Sequence, residues 1–192
     1  MRDCVFLVAD ETMRETFDAF LSRDGKHFSL GCRAFHFEPM EDLIVAIGKY
    51  DSGVYDCAHE YFAPYLETHG HAVAVFDKEY GTDRTAAESR EHVIQEMQQS
   101  GWPRDRFEVV VIDPELEMWL WTGTSHVKAA FRCQEEPRAW LEANDWWPAG
   151  EPKPPRPKEA AAALVAHAGQ RSFNKPLHRE IVARSSVAGC VD

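Results

Sequence analysis

The chain has 192 residues, 44% of them hydrophobic, and a formal net charge of -11. That length suits one domain of ordinary size, or one with an appendage, and the apolar content can bury a sizeable core, which excludes disorder of the whole chain. The acidic balance excludes a broad basic surface for sequence-independent binding to duplex nucleic acid, but leaves room for a local groove or for a basic partner protein.

The five cysteines, Cys4, Cys32, Cys57, Cys133 and Cys190, are odd in number and scattered, with no CxxC. Reduced thiols in a cytoplasm fit this usage. The opening "MRDCVFLVADET" returns to charge too soon for a signal peptide, and no apolar run approaches membrane-spanning length. The expectation is a soluble cytoplasmic protein with no membrane partner.

In chain order, Cys4 to Ala9 reads as a buried strand, an apolar run without alternation. Thr12-x-x-Glu15 has the pattern of a capping box, and the helix it would start carries Phe17, Phe20 and Leu21 and ends near Gly25. Phe28 to Phe37 is expected to be strand. Tyr55, Ala58, Tyr61, Phe62, Tyr65 and Leu66 follow helical spacing, with Pro64 marking a kink or limit and Gly70 placed to end the helix. A strand follows at 71–76. Thr85-x-x-Glu88 is a second capping box, with Val93, Ile94 and Met97 as the apolar stripe behind it. Phe107 to Ile112 is another strand, and Asp113-Pro114 is expected to open a helix, the aspartate as cap and the proline at its first position. The proline-rich stretch 148–157 reads as an extended linker, and two short helices are expected beyond it. The division is thus an α/β domain over 1–147, a linker over 148–157 and a helical extension over 158–192. Strands alternating with helices imply a mostly parallel sheet with helices on both faces.

Each of the runs "VFLVAD", "AVAVFD" and "VVVID" ends in an aspartate: Asp10, Asp77 and Asp113. In a parallel sheet those ends share one edge, where ligands bind. Glu11, Glu79, Glu115 and Glu117 follow close behind. Helix capping explains Asp113 well. It explains Asp10 and Asp77 poorly, because Thr12 and Thr85 stand ready as caps. Asp77 and Glu79 would project to one side, roughly 7 Å apart at their α-carbons, close enough to converge on one hard cation. The alternatives at this point are a divalent-metal site and a solvated acidic loop. Lys78 is expected at the surface, and Gly81 would permit a sharp turn.

Other features weigh less. Cys57-x-His59 and His69-x-His71 lack a second pair to complete a zinc site. Trp119, Trp121, Trp140, Trp146 and Trp147 suit base stacking, core packing or a partner surface. Arg104, Arg106 and Lys128 are the basic residues considered for reaching a substrate. No GxSxG, phosphate-binding glycine loop or HExxH occurs.

Three stretches together carry a resemblance. "VFLVADETMRETFDAFL", "AVAVFDKEYG" and "VVVIDPELEMWLW", with the ending "SSVAGCVD", are similar to TOPRIM-like proteins of bacterial defence and restriction loci, and among these to small accessory components of methylation-associated anti-phage systems. The resemblance implies a TOPRIM-like fold, magnesium as cofactor, and cleavage or rejoining of phosphodiester bonds in DNA or RNA. The family's acid-x-acid pair falls on Asp77 and Glu79. The glutamate that ends the family's first strand is replaced here by Ala9, with Asp10 or Glu11 positioned to substitute after a shift of one or two residues. The acids of the Pro-Glu-x-Glu-x-Trp motif fall on Glu115 and Glu117. The implied catalytic set is therefore Asp10, Glu11, Asp77 and Glu79, and the implied metal set Asp10, Asp77, Glu79, Glu115 and Glu117. Two functions follow from the resemblance and the residues: a magnesium-dependent nuclease in phage defence, or a non-catalytic regulatory or sensing subunit that binds another protein of the same system.

Overall fold

Continuous apolar runs are what a sheet covered on both faces requires, and here they form one. The computed structural model describes residues 1–48, 50–78 and 83–185. Strands β1 (Arg2–Val8), β2 (Leu43–Val45), β3 (His69–Asp77) and β4 (Phe107–Ile112) form a parallel sheet in the order β2-β1-β3-β4. The register sets Phe6 beside Val73 and Phe76 beside Val111. Phe6 and Phe76 therefore point to opposite faces.

The helices, in chain order, are α1 (Glu11–Leu21), α2 (Lys26–Leu30), α3 (Pro39–Asp42), α4 (Tyr50–Phe62), α5 (Ala86–Gln99), α6 (Thr124–Phe131), α7 (Pro137–Ala143), α8 (Pro157–His167) and α9 (Lys175–Val182). Phe17 of α1 meets Phe6 on one face, and Tyr55 of α4 meets Phe76 on the other, with ring centroids 5.9 and 6.3 Å apart. This is the expected α/β class with helices on both faces. Among the described residues no helix is long and apolar enough to cross a membrane.

Several local expectations need correction. Residues 28–37 form no strand: Phe28 lies in α2, and an irregular segment follows. The fourth strand is instead the short β2, from the apolar run "LIVAI". Gly70 does not end a helix. It lies within β3, where a Cβ would stand 3.2 Å from the Asp3 carbonyl, so the close approach to β1 is what favours glycine there. Pro64 does mark the end of α4, which tightens into a 3₁₀ turn at Ala63–Tyr65. The Thr85–Glu88 capping box forms as expected.

A second apolar cluster lies outside the sheet. Leu120, Trp121, Phe131, Leu141, Trp147, Leu164 and Ile181 are buried together, and Phe20 of α1 touches both clusters. Trp121 and Trp147 are thus core. Trp119 packs on Phe17, Trp140 stacks on His167, and Arg156 covers Trp146. Of the alternatives read from sequence, packing within the protein is the one Trp121 and Trp147 follow fully and the half-buried Trp119, Trp140 and Trp146 in part. The proline-rich stretch also lies against the body: Lys153 and Pro154 are buried, and the Glu151 carbonyl accepts the Trp147 indole N–H at 2.9 Å.

α9 docks on α1. Arg179 reaches Glu15 at 2.6 Å and Asp18 at 2.8 Å, while Arg23 donates to the Ser185 carbonyl at 2.7 Å. Between the helices, Thr16 gives its hydroxyl hydrogen to the Thr12 carbonyl, so the 2.9 Å contact with His178 Nδ1 is an N–H donated by the imidazole. Nε2 is then an acceptor, buried without a partner among the described residues. Burial pushes His178 down from 6.5 to about 4, against a small opposing effect of Asp10. The unfolded chain therefore takes up this proton first. Stability is complete above pH 6.5 and drains away as pH falls toward 4, by about 2 kcal/mol between pH 7 and 5. Urea unfolding at those two pH values should show that extra loss in the native chain and not in His178→Leu. An equal loss in both would refute it.

Candidate functional site

Parallel strands bring their carboxyl ends to one edge, and acids from four loops collect there. Asp10 follows β1, Asp51 opens α4 just after β2, Asp77 ends β3, and Glu115 and Glu117 follow β4. Asp77 is the centre of the group. Its backbone N–H donates to Asp51 Oδ1 at 2.8 Å, and its own Oδ1 is buried with no hydrogen-bond partner among the described residues. Burial, and then the charges of Asp51, Glu117, Glu115 and Asp10, push the Asp77 carboxyl up to about 8. Burial raises Glu117 as well, a side chain only 6% exposed. Glu115 is raised by burial and then by Glu117, while its Oε1 accepts the Lys158 backbone N–H at 3.1 Å. Asp51 is raised by burial too, and the charge of Lys158 works the other way on all three of these acids.

Asp10, Asp77, Glu115 and Glu117 thus share one electrostatic neighbourhood, as the sequence suggested. Asp10 also has a second duty that was expected of Thr12. Its Oδ1 accepts the Thr12 and Met13 amides at 2.7 and 2.9 Å, which makes it the cap of α1 and moves Thr12 inside the helix. Glu11 points outward, 53% exposed at its side chain and paired with Arg14. Asp113 is not a cap either: it pairs at the surface with Lys78 at 3.4 Å, and the turn beyond it, Leu116–Thr122, is 3₁₀ with Glu115 at its start. Pro114 opens no helix, since the 3₁₀ turn begins only at Leu116. Glu79, Gly81 and the tail 186–192, Cys190 included, lie outside the described residues.

Asp51 is the acid that sequence reading missed. The available signal is "LIVAIGKYD", an apolar run with an acid after it, weaker than the other three because Gly-Lys-Tyr intervenes and the strand itself spans only Leu43–Val45. The basic residues were misplaced in turn. Arg106 donates to the Leu66, His69 and Gly70 carbonyls at the amino end of β3, Arg104 to the Phe107 carbonyl at the start of β4, and Lys128 pairs with Glu136. Among the described residues of the C-terminal helices, Lys158 acts by its charge on Asp51, Glu115 and Glu117, and Lys175 lines a cleft with Asp10.

Carboxylate oxygens suit a hard divalent cation, and the orphaned Asp77 Oδ1 is the donor such an ion would satisfy. Asp77, with Asp51 and Glu117 as its strongest charged neighbours, would hold it. Among the described residues no three His, Cys, Asp or Glu side chains already surround one point.

Fold and site together define a parallel α/β protein with buried and half-buried acids gathered at the carboxyl edge of its sheet. No family model matches the chain, and no curated protein or solved structure matches it.

Proposed function

We propose that this chain is a TOPRIM-like component of a bacterial anti-phage defence system, acting as a magnesium-dependent hydrolase of phosphodiester bonds. The observation that carries the reading is the buried Oδ1 of Asp77, without a hydrogen-bond partner among the described residues, in a carboxyl group that feels the charges of four further acids. Such crowding opposes ionisation and costs stability unless a cation offsets it. The bound ion would polarise the phosphate and lower the pKa of a water. The protein's own part is to keep Asp77 aimed, through the Asp51 hydrogen bond to its backbone, and to hold Glu115 against α8.

A second reading, a non-catalytic subunit that binds a partner protein of the same system, is favoured by one fact. Asp10, which would replace the family's first-strand glutamate, already spends an oxygen on the amides of α1. Incubation with labelled single-stranded and duplex DNA and RNA in magnesium or manganese separates the two. The hydrolase cuts one of these, loses at least about a hundredfold in rate in Asp77→Asn, and is silent in EDTA. Manganese that leaves the melting temperature unchanged and no cleavage of any substrate would sink it. Full phage protection by Asp77→Asn would leave the second reading in place.

A further inference from the structure

The acidic edge continues into an open cleft of about 550 Å³. Its charged lining is Asp10 and Glu11 at the start of α1 and Lys175 at the start of α9, with Ala46 and Ile47 after β2 and Tyr50 at the start of α4 beside them. The volume lies within the range of sites that take a small organic ligand. Asp10 joins this cleft to the acid group, since its charge acts on Asp51, Asp77 and Glu117.

Three features set this cleft apart from an ordinary surface hollow. Tyr50 stands 68% exposed, an aromatic ring in the open at its rim, whereas the tryptophans pack inside or against other side chains. Its backbone is left-handed, with φ at 49°, a conformation unfavourable for a bulky residue and characteristic of functional positions. The rim beside it is fixed: the Ala46 amide donates to the Val8 carbonyl at 2.9 Å, and the Ile47 amide to the Tyr61 hydroxyl at 2.8 Å. Lys175 supplies positive charge at the first position of α9, where the helix dipole disfavours a cation, so helix stability does not explain it. Among the described residues no hydrogen bond or ion pair holds the Lys175 ammonium, which is therefore open to a ligand in the cleft.

We infer that this cleft seats a single-stranded polynucleotide, with Tyr50 stacking on a base and Lys175 contacting the adjoining phosphate, so that the backbone runs on toward Asp77. The inference rests on the phosphodiester reading and names its substrate class. Stacking on an exposed ring at the cleft rim requires an unpaired base, which favours single strands over duplexes. A net charge of -11 makes such binding depend on this local lysine and on divalent cations rather than on the bulk field.

The test is fluorescence anisotropy of a labelled oligothymidylate, its RNA counterpart and a duplex of equal length, in calcium, with the full chain. Tyr50→Leu should weaken single-strand binding about tenfold, and Tyr50→Phe should keep it. Lys175→Ala should weaken it about threefold and make the logarithmic salt dependence shallower by about 0.7. Either single strand binding more tightly than the duplex supports the inference, and the stronger of the two tells DNA from RNA. Circular dichroism melting verifies that the variants fold. Native-like binding by folded Tyr50→Leu and Lys175→Ala, or a preference for duplex, overturns it. If no polynucleotide binds while manganese still raises the melting temperature in an Asp77-dependent way, the inference falls and the cation reading survives. If neither binds, both fall.

Discussion

Asp77→Asn should make the metal-free protein more stable at pH 8, by about 2–4 kcal/mol. The folded-state carboxyl titrates at about 8 instead of 3.8, chiefly because it is buried and then because Asp51, Glu117, Glu115 and Asp10 repel its charge. Between those two values the fold holds a proton that the unfolded chain has released, so stability falls as pH rises and the full penalty is present above pH 8. Four pH units correspond to a ceiling of about 5 kcal/mol, which relaxation of the neighbouring acids reduces. The amide of asparagine carries no charge and fits the same space, so most of that penalty disappears. Urea unfolding in EDTA at pH 8 and pH 4.5 is the measurement. The variant should exceed the native chain at pH 8, and the gap should close at the lower pH. Manganese should narrow the gap at pH 8 by stabilising the native chain alone. No gap at pH 8 would mean that Asp77 is hydrated and that the site has been misread.

The second large effect lies at the opposite, structural end of the sheet. Asp42 is 1% exposed and receives the Arg2 guanidinium, with Nη2 at 2.8 Å, the His69 Nε2–H at 3.1 Å and the Glu38 amide at 2.7 Å. One carboxylate thereby ties the start of β1, the start of β3 and the first turn of α3. Asp42→Ala should cost about 3 kcal/mol or more, because it strands a buried imidazole and a charged partner at once. Arg2 keeps some access to water, with a third of its side chain exposed, which sets the loss near the lower end of what such breaks produce. Asp42→Asn should cost less, since its oxygen can still accept one of the three donors. A denaturation midpoint for each variant distinguishes them, and an Asp42→Ala midpoint equal to that of the native chain would show that the network contributes nothing. Cleavage or cation binding should be unaffected in whatever fraction folds.

The strands β1, β3 and β4 could be read from the chain because each is an unbroken apolar run bounded by polar residues, and burial on both faces needs no more than that. The same logic allows the edge acids to be read: a parallel sheet aligns its carboxyl ends whatever the strand order. What failed was local and competitive. Thr12 and Asp10 are both good caps for one helix start, and only the path of the chain out of β1 decided for Asp10. β2, at three residues, is too short for periodicity to separate it from a helix segment, and Asp51 was missed with it.

By itself, then, the sequence determined the α/β class, the parallel sense of the sheet, the second capping box and the concentration of carboxyl groups at one edge, because each follows from short-range patterns of apolar, polar and turn residues. Tertiary structure alone decided that Asp51 sits against Asp77, that Lys158 and Lys175 come from the far end of the chain to the acidic edge, and that Arg104 and Arg106 serve the other edge instead. Most of those contacts join residues 26 to 43 positions apart, and a pattern read along the chain carries no term for the distance between them in space.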